Sequence, residues 1–430
     1  MRYIINGGRK LQGSVKVSGN KNSVFPCIGA ALLTQEEVIL ENISDLKDTE
    51  VLIQILKKLG VVVKRNQSRI IIRASEIRRF NLPKDLMVKL RGSIVLVGAI
   101  LGRLGKVNFH HPGGDIIGRR SIKTHLEGFK ALGAVLKQSD SKFSLFFEEK
   151  QSRGLSFEKD SPLKIFDIFL SEASVTATEN LILASVLGQR QVTLRNCAKE
   201  PHIIDLCKML LQMGAEIEGI GTDTLKIIGV ESLSGTKFRI GADYIEVGTY
   251  IVATAITGGK IRIDGIEGTF LDPVLEPLKS FGIKTEENKG SIIVHPSKLK
   301  STAKLVTNIW PGFPTDLMSV AIVLATQSKG VILCHDWMYE GRMFFIDKLI
   351  TMGAKITLAD PHRVLISGPN KLRGRVLDTP DIRAGMALVV AALVARGKSI
   401  INQAELIERG YEDVVRKLRS LGADVERVEV

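Results

Sequence analysis

The chain has 430 residues, of which 44% are hydrophobic and 5% aromatic, and its formal net charge is +14 at pH 7. These values exclude an intrinsically disordered chain and predict two or three domains with aliphatic cores. The positive charge favours anionic partners such as phosphorylated metabolites, nucleic acid or an acidic membrane surface. The scarcity of aromatic residues argues against binding of single-stranded nucleic acid by base stacking.

Two further features indicate a cytoplasmic protein. Residues 1–7 lack the apolar run of a secretory signal, and the most apolar stretch, residues 93–101, is too short to span a bilayer. The four cysteines, Cys27, Cys197, Cys207 and Cys334, show no C-x-x-C spacing. We therefore expect reduced, mostly buried thiols in a reducing compartment.

A five-residue phrase that ends in glycine recurs along the chain. It reads LKKLG, FKALG, LLQMG, LKSFG, LITMG and LRSLG, with the glycines at 60, 133, 214, 282, 353 and 422. Copies spaced roughly 70 to 80 residues apart define an internal repeat. Each copy predicts an amphipathic helix that ends at a left-handed glycine and is followed by a strand.

Each amphipathic helix is preceded by a predicted strand, such as residues 38–41, and that strand by a helix that is apolar on nearly all sides. Residues 93–100, 321–325 and 386–392 are examples of these apolar helices. Because a helix without a polar face must be covered, each repeat is predicted to be a buried helix, a strand, an exposed helix and further strands.

Six repeats are too many for one ordinary core, so the sequence predicts two domains of three repeats each. The first domain is predicted over residues 20–241, and the second over residues 1–19 and 242–430. An N-terminal strand over residues 3–17 would complete the second domain. The chain would cross between the domains near Gly19 and near Gly241, and the active site is expected in the cleft between them.

The segment at 111–120, which reads HPGGDIIGRR, is the most distinctive stretch of the first domain. Its Pro-Gly-Gly turn breaks regular structure and predicts a mobile loop. An acid, Asp115, beside the cations Arg119 and Arg120 is typical of proton transfer to an anionic substrate. On these ten residues alone, a surface turn with a charged rim is an equal alternative.

Polar residues begin the apolar helices. They are Lys21 and Asn22, Arg91, Ser174, Asp243 and Glu246, Thr315 and Asp316, and Arg383. We expect these residues to face a shared polar site, where helix N-termini would cradle a phosphate. Ser174 and Thr315 could equally be ordinary N-caps. Loops after the strands add Arg120, Arg342 and Arg409, which would make that site cationic.

Five motifs give the chain a resemblance to the enolpyruvyl transferase family over essentially its whole length. They are SGNKN at 18–22, PGGDIIGRR at 112–120, FPTD at 313–316, DIRA at 381–384 and RGYE at 409–412. The resemblance implies an α/β fold, the inside-out α/β barrel, with three repeats in each of two domains. It also implies transfer of the enolpyruvyl group of phosphoenolpyruvate to the 3-hydroxyl of UDP-N-acetylglucosamine, which releases phosphate and commits the sugar to peptidoglycan synthesis.

The resemblance further implies roles for individual residues, with no cofactor. Catalytic roles fall on Asp115, Asp316 and Lys21. Contacts with phosphoenolpyruvate fall on Lys21, Asn22, Arg120, Arg383 and Arg409. Contacts with UDP-N-acetylglucosamine fall on Asn22, Arg91, Arg120, Ser121, Ile122, Lys123, Thr124, Ser174, Asp316 and Tyr339, with Arg342 in support.

The chain departs from the common family pattern at several positions. Asp115 stands where many relatives have a cysteine, so fosfomycin would find no thiol and the sequence predicts resistance. To act as an acid, Asp115 must keep a proton despite Arg119 and Arg120. Three further changes are Lys123 for an acid, Tyr244 for an arginine and Thr176 for a glycine. They affect the acceptor side more than the donor side, so the resemblance supports phosphoenolpyruvate as donor more strongly than it supports the acceptor.

Two alternatives stay open. One is the same transfer to another acceptor, such as shikimate 3-phosphate or a different nucleotide. The other, more remote, is a ring-shaped DNA clamp, although the apolar helices do not suit a hole lined with basic residues. Binding of nucleic acid or a membrane is not expected, and the oligomeric state is left open. No metal site is expected, because the seven histidines form no H-E-x-x-H motif and the pair at 110–111 is typical of a strand end.

Overall fold

A computed structural model describes residues 1–114, 117–118, 120–148 and 162–429 of the chain. The chain forms two compact units. Of the described residues, the terminal unit comprises 1–18, 117–118 and 242–429, and the central unit comprises 19–114, 120–148 and 162–241. Within the described ranges, no helix combines the length and the apolar character that crossing a membrane requires.

The described part of the central unit contains seven helices and one 3-10 turn. The helices are Lys21–Ala31, Lys47–Leu59, Lys84–Met87, Val95–Leu104, Lys123–Ala131, Val175–Ser185 and Pro201–Gln212, and the 3-10 turn is Arg91–Ile94. The strands are Glu37–Glu41, Val62–Asn66, Arg69–Arg73, Lys106–His110, Val135–Ser139, Lys142–Phe146, Lys164–Phe169, Arg190–Arg195, Glu216–Glu218, Thr224–Ile228 and Thr236–Arg239. These elements follow the order that the repeat predicts.

Three buried helices pack together in the central unit: Lys21–Ala31, Val95–Leu104 and Val175–Ser185. Two of them approach closely at Gly98, whose N–H donates to the side chain of Asn180 at 2.6 Å. A Cβ atom at position 98 would lie 2.1 Å from the carbonyl oxygen of Asn180, so only glycine fits there. The burial of these helices confirms what their lack of a polar face predicts.

Each repeat of the central unit contributes one sheet. The strand Thr236–Arg239, at the end of the unit, pairs in parallel with Glu37–Glu41 in the first repeat. This strand completes a four-stranded sheet, so the two ends of the unit meet. In the described ranges the second repeat has three strands and the third has four.

The described part of the terminal unit contains six helices and one 3-10 turn. The helices are Tyr244–Thr257, Asp272–Ser280, Thr315–Gln327, Ile346–Thr351, Ile382–Val394 and Val414–Ser420, and the 3-10 turn is Ala404–Arg409. The strands are Arg2–Asn6, Gln12–Lys16, Lys260–Asp264, Lys284–Asn288, Ser291–His295, Lys304–Val306, Gly330–His335, Lys355–Asp360, Arg363–Gly368, Val376–Asp378, Lys398–Asn402 and Asp424–Val428. The helices Tyr244–Thr257, Thr315–Gln327 and Ile382–Val394 pack on one another, as their counterparts do in the central unit.

The N-terminal segment joins the terminal unit as two strands, so the prediction of one strand over residues 3–17 is wrong. Arg2–Asn6 lies antiparallel between two strands of the last repeat, and Gln12–Lys16 pairs in parallel with Lys260–Asp264. The break falls after Asn6, where Gly8 has a φ of 97°. Gly7 and Gly8 follow the first strand, and the chain then enters a second sheet.

Two smaller predictions are confirmed. The six glycines that end the repeat phrase have φ values between 83° and 102°, the left-handed region expected at helix ends. All four cysteines are free and buried.

Candidate active site

A cluster of charged residues lies at the start of two buried helices in the terminal unit. Asp316 is the second residue of Thr315–Gln327, and Arg383 is the second residue of Ile382–Val394. Arg342 donates from Nη2 to Oδ1 of Asp316 at 2.9 Å, and Arg383 donates from Nε and Nη2 to Oδ2 at 3.1 and 2.9 Å. The structure therefore brings together three of the predicted site residues.

The two arginines of this cluster stay cationic although they are buried. Burial by itself lowers the pKa of the Arg383 and Arg342 guanidiniums, but Asp316 and the other nearby acidic groups together outweigh burial and raise the pKa of both. Nη1 of Arg383 and Nε of Arg342 are buried and make no hydrogen bond to the part of the chain that the structure describes. Arg383 therefore has donor capacity left for an anionic ligand.

Aromatic rings flank this cluster. The guanidinium carbon of Arg383 lies 5.2 Å from the ring centre of Tyr411, and that of Arg342 lies 5.6 Å from the ring centre of Tyr339. Tyr339 is the residue that we expect to contact the nucleotide sugar. The predicted donor ligand Arg409 is partly buried and ends the 3-10 turn Ala404–Arg409.

An acid that the sequence analysis missed supports the cluster. Asp336 is fully buried and accepts a hydrogen bond from the hydroxyl of Thr315, and its Oδ2 lies 4.0 Å from Nε of Arg342. Thr315 is therefore not the N-cap of its helix, a position held by Pro314. The sequence did offer a signal for Asp336, because this acid directly follows the apolar strand Gly330–His335.

The prediction that helix N-termini cradle a phosphate is wrong for four of the buried helices, because capping side chains accept hydrogen bonds from N–H groups of their first turns. Asp381 accepts from the N–H groups of Arg383 and Ala384 at 2.8 and 3.0 Å. Asn20, Ser174 and Asp243 cap their own helices in the same way. For Ser174 the N-cap alternative is therefore correct.

In the central unit, Lys21 forms a buried ion pair. Its Nζ lies 2.7 Å from Oδ2 of Asp48, and the two side chains are 10% and 4% exposed. Asn22, the next residue, gives its backbone N–H to the side chain of Asn20. Asp48 was missed by the sequence analysis, because nothing local marks it as the partner of a lysine in another helix.

The predicted nucleotide-sugar residues Arg91, Arg120 and Ser121 lie together in the central unit. Nη2 of Arg91 donates to the carbonyl oxygen of Ser121 at 3.0 Å. A Cβ atom at Gly114 would lie 2.8 Å from Cβ of Arg91 and 3.0 Å from Nη2 of Arg120. Gly114 therefore allows the two arginines to converge on the same stretch of backbone.

The helix Lys123–Ala131 carries the next predicted contacts. The hydroxyl of Ser121 accepts the N–H of Lys123 at 3.0 Å, and Ile122 is buried. Nζ of Lys123 lies 3.5 Å from Glu127 on its own helix, and both side chains are exposed. Thr124 is buried, with its hydroxyl 3.3 Å from that of Ser171. Lys123, whose charge is opposite to that of the acid in the common family pattern, therefore pairs with an acid of its own helix.

Thr176 takes part in a buried network with the same helix. Nε2 of His125 lies 3.0 Å from the hydroxyl of Thr176, and Nδ1 lies 3.0 Å from the side chain of Asn180. Burial lowers the pKa of His125 to about 3, with a further contribution from Arg91, so the ring is neutral. Thr176 thus supplies a side-chain contact that glycine could not make.

The start of the predicted mobile loop packs against the segment before the first turn of Arg91–Ile94. Gly113 donates its N–H to the carbonyl oxygen of Met87 at 3.1 Å. A Cβ atom at Gly113 would lie 1.8 Å from the carbonyl oxygen of Val88. Glycine therefore allows a close approach of two backbone segments here, and the mobility of the loop stays a prediction.

The rest of the loop is described in part. Within the terminal unit, the carbonyl oxygen of Ile117 accepts the N–H of Gly341 at 2.9 Å, and Gly118 has a φ of 132°. The predicted catalytic Asp115 and its neighbour Arg119 lie outside the described residues. Across the described ranges, no group of histidine, cysteine, aspartate or glutamate side chains could hold a metal ion.

Comparisons with known proteins identify the family. The sequence matches the family EPSP synthase (3-phosphoshikimate 1-carboxyvinyltransferase) over residues 5–418. The chain belongs to this family of enolpyruvyl transferases. It is also 44% identical, over 99% of both chains, to a UDP-N-acetylglucosamine 1-carboxyvinyltransferase of Borreliella burgdorferi. A protein of the same name from Bradyrhizobium diazoefficiens is 43% identical over 100% of this chain and 98% of its own.

Solved enolpyruvyl transferases share the fold. The enolpyruvyl transferase NikO from Streptomyces tendae has a TM-score of 0.84 at 24% identity and covers 99% of this chain and 98% of its own. An EPSP synthase from Acinetobacter baumannii has a TM-score of 0.73 at 16% identity and covers 99% of each chain. The predicted enolpyruvyl transferase fold is confirmed.

Proposed function

We propose that this chain transfers the enolpyruvyl group of phosphoenolpyruvate to the 3-hydroxyl of UDP-N-acetylglucosamine and releases phosphate. One observation carries the choice of acceptor. Relatives that are 43–44% identical over essentially the whole chain are named for this sugar nucleotide, whereas the EPSP synthase of known structure is 16% identical. The reaction would be the first committed step of peptidoglycan synthesis, in the cytoplasm.

The reaction needs two proton transfers and a set of cations. The hydroxyl oxygen attacks C2 of phosphoenolpyruvate while C3 gains a proton, which gives a tetrahedral intermediate. This intermediate then loses a proton from C3 and its phosphate, which leaves the enol ether and free phosphate. We propose Asp316 as the base for the hydroxyl and Asp115 as the acid for C3.

The proposed donor ligands, Lys21, Arg120, Arg383 and Arg409, are all cationic. Guanidinium groups suit this role because they bind carboxylate and phosphate through two parallel hydrogen bonds. The buried Nη1 of Arg383, with no partner among the described residues, supports its assignment as a ligand. Arg342 contacts Asp316 and would orient it.

A phosphate-release assay tests the proposal. Purified protein with phosphoenolpyruvate and UDP-N-acetylglucosamine should release phosphate continuously, and replacing the sugar nucleotide with shikimate 3-phosphate should give no turnover. Turnover with shikimate 3-phosphate alone would overturn the acceptor and leave the enolpyruvyl transfer in place. Inactivity with both acceptors would overturn the whole proposal.

Resistance to fosfomycin is a separate prediction from the loop. The compound inactivates by alkylating a thiolate, and this chain has aspartate at position 115. Preincubation with fosfomycin should leave the activity unchanged, whereas the Asp115→Cys variant should lose activity with time. Time-dependent inactivation of the natural protein would contradict the prediction.

A further inference from the structure

A cavity of about 370 Å³ lies within the central unit. Its walls are mostly apolar and include Leu132, Phe147, Ile165 and Phe166. Arg190 and Lys164 are the charged residues among its lining. An apolar cavity with a few polar groups is the usual form of a site for a small organic ligand.

Arg190 is the unusual member of this wall. The residue is 4% exposed, and its guanidinium carbon lies 5.1 Å from the ring centre of Phe147. Its hydrogen bond to the carbonyl oxygen of Ala184 is long, at 3.5 Å. No carboxylate of the described residues lies within 4.0 Å of it, and burial lowers its pKa to about 10. The guanidinium is still charged at neutral pH, and the described residues do not give it the anion that a buried cation needs.

We propose that this cavity is a binding site for a small carboxylate with an apolar body. The carboxylate would accept hydrogen bonds from Arg190, which presents donors in a planar fork, and the body would pack on Phe147 and Phe166. Such a ligand supplies both the missing counter-ion and the apolar surface that the walls match. This site is distinct from the proposed reaction and does not depend on it.

The position of the cavity separates it from the predicted acceptor residues. Ser121 and Ile122 precede the first turn of the helix Lys123–Ala131, and Leu132, in the cavity wall, follows its last turn. A helix of nine residues is about 13 Å long, so a ligand in the cavity would sit at the opposite end from the proposed sugar contacts.

Fluorescence titration with 2-naphthoate tests the site, with 2-naphthamide as a neutral probe of the same shape. Saturating UDP-N-acetylglucosamine and phosphate would be present throughout, so that anion sites of the proposed reaction are occupied. We expect one saturable site that binds 2-naphthoate at least about tenfold more tightly than 2-naphthamide. In Arg190→Met, binding of 2-naphthoate should weaken by at least about tenfold while binding of 2-naphthamide stays unchanged.

A second pair of variants does not depend on the folding of Arg190→Met. Ile165 lines the cavity and is 74% exposed, so Ile165→Glu and Ile165→Gln should both fold. The glutamate should weaken binding of 2-naphthoate relative to the glutamine, because it places a like charge at the site. Absence of saturable binding, or affinities that neither Arg190→Met nor Ile165→Glu changes, would overturn the proposal.

Discussion

The two units repeat one architecture but treat buried charge differently. In the terminal unit, Asp316 accepts hydrogen bonds from Arg342 and Arg383, and Glu246 lies 2.6 Å from Nζ of Lys417. These acids and bases are matched within hydrogen-bond distance. Because the partners are held in place by two or more contacts, the cations of this unit are arranged before any substrate arrives.

In the central unit, several buried ionisable groups have no opposite charge beside them. Among the described residues, Glu179, which is buried in the helix Val175–Ser185, has no cation within 4.0 Å, and Arg190 has no carboxylate within that distance. Lys21 and Asp48, by contrast, form a buried ion pair in this unit. The comparison teaches that one repeated fold can hold buried charges either in matched pairs or apart from an opposite charge.

The largest expected effect comes from breaking the ion pair between Lys21 and Asp48. Lys21→Met would remove one partner of this buried ion pair, which should lower the free energy of unfolding by about 3–5 kcal/mol. The double variant Lys21→Met with Asp48→Asn should recover most of this stability, because no unpaired charge remains. Urea denaturation measures both. If Lys21 also binds phosphoenolpyruvate, the stable double variant remains inactive; an active double variant would show that Lys21 is only structural.

Removing the charge of Asp316 tests the matched cluster of the terminal unit. Asp316→Asn keeps the shape but loses the base and the counter-ion of two arginines, and kcat should fall by at least about 100-fold. Asp347→Asn, at an exposed acid in the same repeat, is the matched control and should be neutral. A full kcat in Asp316→Asn would exclude this residue as the base.

A smaller, pH-dependent effect is expected at Glu179. Burial, with a contribution from Glu200, raises its pKa well above the ordinary value of 4.5. The folded state therefore keeps a proton that the unfolded chain loses above pH 4.5, so stability falls as pH rises from there up to the folded-state pKa. Glu179→Gln removes this loss.

Urea denaturation at pH 5 and pH 8 measures the effect. The stability of Glu179→Gln relative to the natural protein should increase between the two pH values, whereas the exposed control Glu76→Gln should show no such trend. A constant difference would mean that Glu179 is ionised in the folded state.

Local patterns in the sequence predict the fold well, because each repeat is marked by helix and strand patterns that depend only on neighbouring residues. The glycines at 60 and 133, for example, mark helix ends through a conformation that depends on neighbouring residues only. The pairing of Thr236–Arg239 with Glu37–Glu41 could not be predicted in this way, since nothing in either strand specifies a partner about 200 residues away.

The sequence could predict which charged residues belong to the candidate site, but not all of the contacts that they make. The cations at 342 and 383 could be selected as charged residues at element ends, and the structure brings both to Asp316. The contact of Lys21 with Asp48 depends on how two helices pack, which no pattern encodes. The close approach of Gly113 to the backbone of Val88 could not be predicted for the same reason.

Running the reaction in D₂O tests the central claim most directly. Addition of the sugar hydroxyl to C2 requires a solvent-derived proton at C3, so UDP-N-acetylglucosamine and phosphoenolpyruvate should give an enolpyruvyl product that carries deuterium at its vinyl carbon. Mass spectrometry and NMR of that product measure the label. A product without deuterium at this carbon, or phosphate release without any enol ether, would contradict the account.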